Sequence, residues 1–510
     1  MKKPVLALLL VIFSAAYFLR VLYLPQQALT FGYDQARDAY SAQQILNGHL
    51  KIQGPPASTP GLNHGVLYYY FLAPGYLIGK GSPIVTAYWT ALWNALTVFI
   101  VFILGWKMTK SRFSALLSAV LFGISFEAIQ YAIWLSNPMM GVWLVPLIYL
   151  GLWTWVKEKK WWAPILCGLA LGFSVQAEIF LVYHLPPILL WLFVGRKNVK
   201  RSDLFKFSGA FLLAISTMLL SEVKFGFQAL KGISALLNVQ DSVVLSRGLG
   251  DYIVLYLNQI GKVFAYSSYP GNVGYGGVLV LLIIIIALLN WNKKQTISWQ
   301  PFLATWLFSH ILVVSVGGTS TPFLNVGFAP AIALVIGISF TLWWKQGKRV
   351  LVLALMLLIF IGNSSRIVKE NPHGQTIFSI QKDMTLKNQL AAIDYTYQAA
   401  GTKNFSINTI TSPLWINIVW TYLYKWHGER SYGFVPAWHG QDQVGQLDTL
   451  VHIDEPSDTF FLIQEPLQGI PGLFVEDTLG QENGRSRVVE EKHFGQIVVQ
   501  KRAREVVSAK

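Results

Sequence analysis

The sequence predicts a polytopic α-helical membrane protein with about eleven transmembrane helices and a small C-terminal domain of α/β or α+β type. Of the 510 residues, 53% are hydrophobic and 13% are charged, which is roughly half the charged fraction of a soluble globular domain. The charge is also divided unevenly. Residues 1–362 contain 26 Lys and Arg against 9 Asp and Glu, whereas residues 363–510 contain 14 against 16. A long apolar, basic part is therefore followed by a shorter polar one.

Apolar runs of about 17–25 residues can cross a bilayer as helices, and the first part of the chain holds eleven candidates. They lie at about 4–22, 84–106, 113–132, 138–156, 161–177, 179–195, 204–221, 273–291, 299–317, 324–344 and 349–362. Lys2 and Lys3 precede the first run and no small-residue cleavage site follows it, so we expect a retained anchor. The single cysteine, Cys167, lies inside the fifth run, which excludes a disulfide framework and a cysteine zinc site.

The basic residues predict the orientation of the spans, because Lys and Arg are retained on the cytoplasmic side. With the N-terminus inside, the inner segments hold 18 of the 26 basic residues of positions 1–362, and eight remain in the outer segments. The two longer outer loops are expected at about 23–83 and 222–272. Topology thus explains the net charge of +15. Without a basic tail or a basic strip interleaved with aromatic residues, nucleic acid is not expected as a partner.

An odd number of spans places the C-terminal domain, residues 363–510, on the extracytoplasmic side of a plasma membrane. Its sequence alternates helical patterns with short strand-like runs. The predicted elements are helices at Leu386–Ala400 and Leu414–Trp426, with strands at Phe405–Ile410, Thr459–Ile463 and Gln496–Gln500. In the second outer loop, Ile233–Val244 is amphipathic and is expected to lie along the membrane surface.

The nine acidic residues of the first 362 positions narrow the search for a site. Glu158 and Asp203 belong to cytoplasmic turns rich in basic residues. The others fall at or near the outer face: Asp34, Asp38, Glu127, Glu178, Glu222, Asp241 and Asp251. Carboxylates gathered at loop–helix junctions on one side predict a site at the outer interface, whereas a transporter more often places them at mid-membrane.

The first outer loop is the richest of these segments. Asp34 and Asp38 are four residues apart, so they share one face if the segment is helical. A carboxylate beside the membrane surface can deprotonate an acceptor hydroxyl, and Arg37 can pair with a carboxylate or hold a phosphate in a two-pronged contact. Alternatively, Asp34 caps a surface helix and Arg37 forms an ordinary ion pair with Asp38. The spacing alone leaves both interpretations open.

Six further residues are candidates for substrate binding, each with a structural alternative. They are His64, Tyr68, Asn137, Gln176, Glu178 and Arg247. His64 and Tyr68 lie where the chain enters the second span, and they either contact substrate or pack at the interface. Gln176 and Glu178 form the turn between the fifth and sixth spans, and Asn137 precedes a proline that favours a helix start. Arg247 is an outer-face cation that can meet a phosphate or a lipid headgroup.

These motifs resemble the GT-C glycosyltransferases. The likeness rests on Tyr-Asp-Gln-Ala-Arg-Asp-Ala at 33–39, on His-Gly-x-Leu-Tyr-Tyr-Tyr at 64–70 and on the Gln176-x-Glu178 turn. It extends into the tail at 386–395 and 422–428, and it covers most of the chain. The nearest branch is the dolichyl-phosphate-mannose–protein mannosyltransferase-like group, which includes the lipid A aminoarabinose transferases.

The resemblance implies sugar transfer from a polyprenyl-phosphate-linked donor to an acceptor hydroxyl on the extracytoplasmic side, with inversion at the anomeric carbon. Asp34 matches the loop carboxylate of the family and would be the general base. Many members have an acidic pair there, whereas this chain has Gln35 next, so Asp38 is the candidate for the second carboxylate. The Trp-Trp-Asp motif of metal-dependent relatives is absent, and neither a metal nor another cofactor is inferred.

The sequence leaves several points open. It does not say which sugar is moved, or whether a protein, a lipid or a glycan accepts it. Two other functions remain as alternatives: a transporter or flippase for lipid-linked sugars, and a non-catalytic membrane scaffold. The first would predict paired halves with charges at mid-bilayer, and neither feature is visible; the second would make Asp34 expendable.

Overall fold

A computed structural model describes residues 3–57, 61–232, 248–289, 297–311, 322–401, 404–440 and 448–504. Most of this part of the chain is helical. The helices of the membrane part are α1 Lys3–Val21, α2 Tyr33–Leu46, α3 Leu67–Ile78, α4 Pro83–Thr109, α5 Arg112–Gly123, α6 Phe126–Ala132, α7 Gly141–Glu158, α8 Ala163–Ala177, α9 Leu185–Val194, α10 Arg201–Ala214, α11 Ser216–Lys224, α12 Leu249–Ser268, α13 Val273–Leu289, α14 Trp299–Leu307, α15 Phe328–Lys345 and α16 Arg349–Glu370.

The predicted class, an α-helical membrane part followed by a small domain with a sheet, is confirmed, and each of the eleven predicted runs contains helix; the number of spans stays a prediction. Within the described residues, five helices are long and apolar enough to cross a membrane, or seven if two bent pairs each count as one span. Three shorter apolar helices accompany them. The residues of the predicted surface stretch Ile233–Val244 lie outside the described part of the chain.

Two features of the membrane part differ from the sequence prediction. The region expected as the second outer loop contains the 20-residue helix α12, which buries Ile260, Val263 and Phe264. Its alternation of apolar and polar residues gave no run long enough to be recognised as a span. In addition, α16 continues eight residues past the expected boundary at 362 and ends at Glu370, so the junction between the two parts of the chain is helical.

A buried cation holds the bend between α5 and α6, which amounts to 58°. Arg20 is 1% exposed. Its Nη1 donates to the carbonyl oxygens of Ala16 and Gly123 at 2.8 and 2.9 Å, and its Nε donates to Oδ1 of Asn94 at 2.6 Å. Because carbonyls at helix C-termini carry partial negative charge, those of α1 and α5 stabilise this guanidinium.

The C-terminal domain is built around a mixed five-stranded sheet of order β2-β1-β3-β5-β4, with β1 parallel to β2 and β3, and β5 antiparallel to β3 and β4. Its strands are β1 Ser406–Ile410, β2 Ala437–Trp438, β3 Thr459–Gln464, β4 Ser486–Phe494 and β5 Ile497–Arg504. Its helices are α17 Leu386–Ala400, α18 Ile418–Leu423, α19 Glu429–Tyr432 and α20 Gly472–Arg485, with a π-helical turn at Tyr424–Gly428.

The predicted helix Leu386–Ala400 has the bounds of α17, and the three predicted strands correspond to β1, β3 and β5. The helix predicted at Leu414–Trp426 starts later, at Ile418, and its last turn is π-helical. β2, β4 and α20 were not predicted. β2 has two residues, and β4 is almost wholly exposed, so neither shows the alternation of a half-buried strand.

The C-terminal domain is bonded directly to the segment that leads into α2. The backbone N–H of Leu386 donates to the carbonyl of Leu29 at 2.8 Å, and that of Phe31 donates to the carbonyl of Met384 at 3.2 Å. The Gln389 side chain donates to the carbonyl of Phe31 at 2.6 Å. The start of α2 is therefore positioned by residues about 350 positions away in the chain.

Asn363 provides a test of the packing between α6, α12 and α16. Its side chain is fully buried, accepts from the N–H of Phe126 at 2.8 Å, and donates to the carbonyls of Ser268 and Ile359. We predict that Asn363→Leu lowers the free energy of unfolding by about 2 kcal/mol, because it breaks these bonds and leaves buried groups unpaired. Unfolding in mixed micelles measures the change.

The control is Leu357→Ala on the same helix, where the side chain is 59% exposed toward the surface of the bundle. It should change stability much less than Asn363→Leu. Equal stabilities for the two variants would contradict the proposed role of Asn363.

Candidate active site

Asp34 lies in the first turn of α2, one residue beyond the point where the helix starts. The N-cap is Gly32, and its backbone N–H donates to Oε1 of Gln35 at 2.9 Å. Asp34 makes no capping hydrogen bond there, so its carboxylate is not used by the helix end. A negative charge in this turn is nevertheless favoured by the helix dipole.

Arg37 joins the two aspartates of α2. Its Nη1 donates to Oδ1 of Asp34 at 2.7 Å, and its Nε donates to Oδ1 of Asp38 at 2.8 Å. The three side chains differ sharply in accessibility: Asp38 is 0% exposed, Arg37 is 7% exposed and Asp34 is 54% exposed. Arg37 and Asp38 thus form a buried ion pair, and Arg37 also holds the exposed carboxylate of Asp34 in place.

The electrostatics of this triad follow from burial and charge. Burial lowers the pKa of Arg37, but the carboxylates of Asp38 and Asp34 raise it further, so the net shift is upward and the guanidinium stays charged. Burial raises the pKa of Asp38 to about 7, although Arg37 opposes this shift. Asp34 is the member that a proton from solvent or from a substrate can reach.

The three consecutive tyrosines of α3, at positions 68–70, include the next residues of the candidate site. Burial raises the pKa of the Tyr69 hydroxyl, and the side chains of Ser41 and Arg37 oppose this shift by hydrogen bonding. Tyr68, the residue named from the sequence, is fully buried, and its hydroxyl has no hydrogen-bond partner. The sequence showed three consecutive tyrosines but could not indicate which of them faces Arg37.

His64 and Glu178 form a second group at the same end of the bundle. Nδ1 of His64 accepts from the N–H of Ile179 at 3.3 Å and lies 3.9 Å from Oε1 of Glu178. Burial and, to a smaller extent, the charge of Arg37 lower the pKa of His64 to about 4. The imidazole is therefore neutral at pH 7.

The side chains of Asn137 and Gln176 bond to the protein backbone. The amide of Asn137 donates to the carbonyl of Ala177. The amide nitrogen of Gln176 donates to the carbonyl of Ala214, and its oxygen accepts from the N–H of Leu67 at 3.2 Å. These bonds fix the turn that carries Glu178 against α3. Arg247 lies outside the described residues.

Three other carboxylates that the sequence predicts at the outer face make local hydrogen bonds. Glu127 accepts from the hydroxyl of Ser267 at 2.8 Å, which links α6 to α12. Glu222 accepts from the N–H of Ala229, and Asp251 accepts from that of Gly248. Asp241 is outside the described part of the chain.

A cleft of about 400 Å³ separates α2 from the C-terminal domain. Tyr40, Gln43 and Gln44 line one wall, and Lys425 and Trp426 of the π-helical turn line the other. Asp34 is not part of this lining. It lies at the start of the same helix, before the cleft begins.

Comparison with solved structures identifies, among others, two structures of one similar protein. One is ArnT from Cupriavidus metallidurans bound to undecaprenyl phosphate, with a TM-score of 0.57 and 11% identity over 100% of this chain and 99% of that one. The other is the same protein in the apo state, with a TM-score of 0.58 and 10% identity over 97% of each chain. The chain has the fold of ArnT. This confirms the GT-C fold that the resemblance predicted.

At 10–11% identity this likeness concerns the fold. No protein-family model matches the chain, and no curated protein matches it.

The buried Asp38 predicts a pH-dependent effect of Arg37. A folded-state pKa raised from 3.8 to about 7 means that stability is retained below pH 4 and lost as the pH rises through 7. We predict that Arg37→Gln costs about 3–5 kcal/mol, because it leaves a buried charge without its partner. The loss should be larger at pH 8 than at pH 5. Thermal unfolding in detergent at both pH values measures it.

Adding Asp38→Asn to Arg37→Gln should restore most of the lost stability and remove most of its pH dependence. A loss that is equal at both pH values, or that the second substitution does not relieve, would contradict this account of the triad.

Proposed function

We propose that the chain is a membrane glycosyltransferase that moves a sugar from a polyprenyl-phosphate-linked donor to an acceptor hydroxyl. Transfer takes place at the extracytoplasmic face of the plasma membrane, with inversion, and Asp34 is the general base. One observation carries the proposal: an open carboxylate, oriented by a buried arginine, stands at the start of the helix that follows the first span, in a chain with the fold of ArnT.

The proposed donor class is supported by the comparison and by physical reasoning alike. ArnT has been solved with undecaprenyl phosphate, a polyprenyl phosphate. Such a molecule keeps its hydrocarbon tail in the bilayer and its phosphate at headgroup level. An enzyme that uses it needs its reactive groups just beyond the ends of its spans. Asp34 follows helix α1, and His64 precedes helix α3.

In the proposed reaction, Asp34 takes the proton of the acceptor hydroxyl while that oxygen attacks the anomeric carbon. The bond from this carbon to the phosphate oxygen breaks on the opposite face, and the leaving polyprenyl phosphate keeps the electron pair. The sugar passes through an oxocarbenium-like state, which a nearby carboxylate stabilises, as in glycoside hydrolysis. The configuration at the anomeric carbon is therefore inverted.

The remaining site residues take supporting roles in this proposal. Arg37 is a positioning residue, because both of its carboxylate contacts are made within α2. Neutral His64, Glu178 and Tyr68 are proposed to contact the sugar or the phosphate. Asn137 and Gln176 hold the backbone of this region. Arg247 remains a candidate for the phosphate, since charge that develops there needs a cation.

The proposal specifies the acceptor only as a hydroxyl-bearing molecule on the outer side. It can be a protein, a lipid or a glycan. A transporter or a scaffold would not need a proton acceptor at Asp34. Sugar transfer that depends on this carboxylate therefore separates the proposed enzyme from both alternatives.

We predict that Asp34→Asn lowers sugar transfer at least about 100-fold, the usual effect of removing a general base. Proteoliposomes containing the purified protein are supplied with radiolabelled polyprenyl-phosphate hexoses and pentoses and with membrane extract as the source of acceptors. Binding of undecaprenyl phosphate is measured in parallel and should be retained, since the substitution preserves the shape of the side chain.

The matched control is Asp203→Asn. Asp203 also lies in the first turn of a helix and pairs with a basic residue three positions on, Lys206 at 3.4 Å, but it belongs to a turn predicted to be cytoplasmic. Its replacement should leave transfer unchanged. Transfer that persists in Asp34→Asn would reject Asp34 as the base, and its absence from the wild-type protein with every donor would reject the proposed activity.

A further inference from the structure

The C-terminal domain contains a cavity of its own, at the carboxyl ends of the parallel strands β1 and β2. It has a volume of about 290 Å³. Asn408 and Thr409 of β1 form its floor together with His439, which directly follows β2, and α20 forms one wall through Thr478 and Arg485. The carboxyl ends of parallel strands are the usual position of ligand sites in sheets flanked by helices.

Two polar groups in this lining have no partner within the protein. The side chain of His439 is 0% exposed; its Nε2 lies 3.6 Å from Oε1 of Glu482, and its Nδ1 makes no hydrogen bond. The hydroxyl of Thr409 is also buried without a partner. Buried polar groups normally have hydrogen-bond partners, so two such groups in one cavity indicate a ligand that both donates and accepts hydrogen bonds.

An aromatic side chain stands at the rim of the cavity. Trp415 is 39% exposed, and its backbone has a φ of 59°, a left-handed conformation that bulky residues rarely adopt. Its indole packs edge-on against the ring of Phe474, with 5.2 Å between the ring centroids. Trp438 lies deeper in the same lining. Indole faces offer apolar area to a flat, weakly polar surface.

The charges around the cavity argue against an ionic ligand. Arg485 is already engaged in a two-pronged contact with Glu482, from Nε to Oε2 at 3.0 Å and from Nη2 to Oε1 at 2.6 Å. Glu482 also accepts from Asn408 at 2.7 Å. The described residues contain no group of three or more His, Cys, Asp or Glu side chains able to hold a metal ion. The lining is thus polar: the charges of Arg485 and Glu482 are paired with each other, and Asp454 is exposed to solvent at its edge.

We propose that this cavity binds one neutral hexose ring of a glycan. The hydroxyls of a pyranose both donate and accept hydrogen bonds, which suits Thr409 and His439. Its C–H face is apolar and fits against the indole of Trp415. A volume at the small end of ligand pockets suits a single ring rather than a nucleotide.

This site gives the C-terminal domain a function that is separate from the chemistry at Asp34. If the proposed glycosyltransferase activity also holds, the bound glycan is the acceptor that the domain presents, and only that last step rests on the proposed function. Hexose binding itself can be measured without any transfer.

The test uses the full-length protein in nanodiscs and three probes, the methyl glycosides of α-mannose, β-glucose and β-galactose, with inorganic phosphate as the anionic probe. Saturation-transfer NMR and titration give the affinities. We expect at least one glycoside to bind and phosphate not to compete. Thr409→Val should weaken binding about fivefold through loss of one hydrogen bond, and Trp415→Ala about tenfold through loss of the ring contact.

Two control variants match these changes. Thr97 of α4 also has a buried hydroxyl without a partner, so Thr97→Val repeats the chemistry of Thr409→Val in the membrane part. Trp161 is 70% exposed, between α7 and α8, and Trp161→Ala repeats the loss of an exposed indole. Both should bind the glycoside as the wild type does. Failure of all three glycosides to bind, competition by phosphate, or unchanged binding in both cavity variants would overturn the proposal.

Discussion

The contact of Arg37 with two aspartates is the interaction on which the candidate active site depends. It joins the open carboxylate of Asp34 to the buried carboxylate of Asp38, and so converts an exposed residue of a first helical turn into one of fixed orientation. The helix that carries the triad is itself held by backbone and side-chain bonds from the C-terminal domain to residues 29–31. The two parts of the chain therefore position one carboxylate together.

Much of the fold could be predicted because its causes are local. The length of apolar runs and the sidedness of Lys and Arg act residue by residue, and α17, β1 and β3 have strong periodic patterns. The bend between α5 and α6 beside Arg20, the helix α12 and the exposed strand β4 could not be predicted in this way. Each depends on a partner distant in sequence, such as the carbonyl of Gly123 for Arg20, or has no apolar alternation.

The site was predictable to the level of residue types and spacing. Asp34 and Asp38 were expected on one face if the segment is helical, and the structure joins both of them to Arg37 on α2. The sequence could not tell Tyr68 from Tyr69, because adjacent residues of a helix point in directions about 100° apart. Nor could it reveal that Asn137 and Gln176 bond to the backbone of other helices, since side-chain partners are fixed only by the packed bundle.

The most direct test of the central claim is an experimental structure of the protein with a phosphonate analogue of a polyprenyl-phosphate sugar, which cannot transfer its sugar. The account predicts that the lipid lies between membrane helices and that the anomeric carbon faces Asp34, with room for one acceptor hydroxyl between them. A headgroup bound at the cytoplasmic turns, or a sugar with no open path to the Asp34 carboxylate, would contradict it.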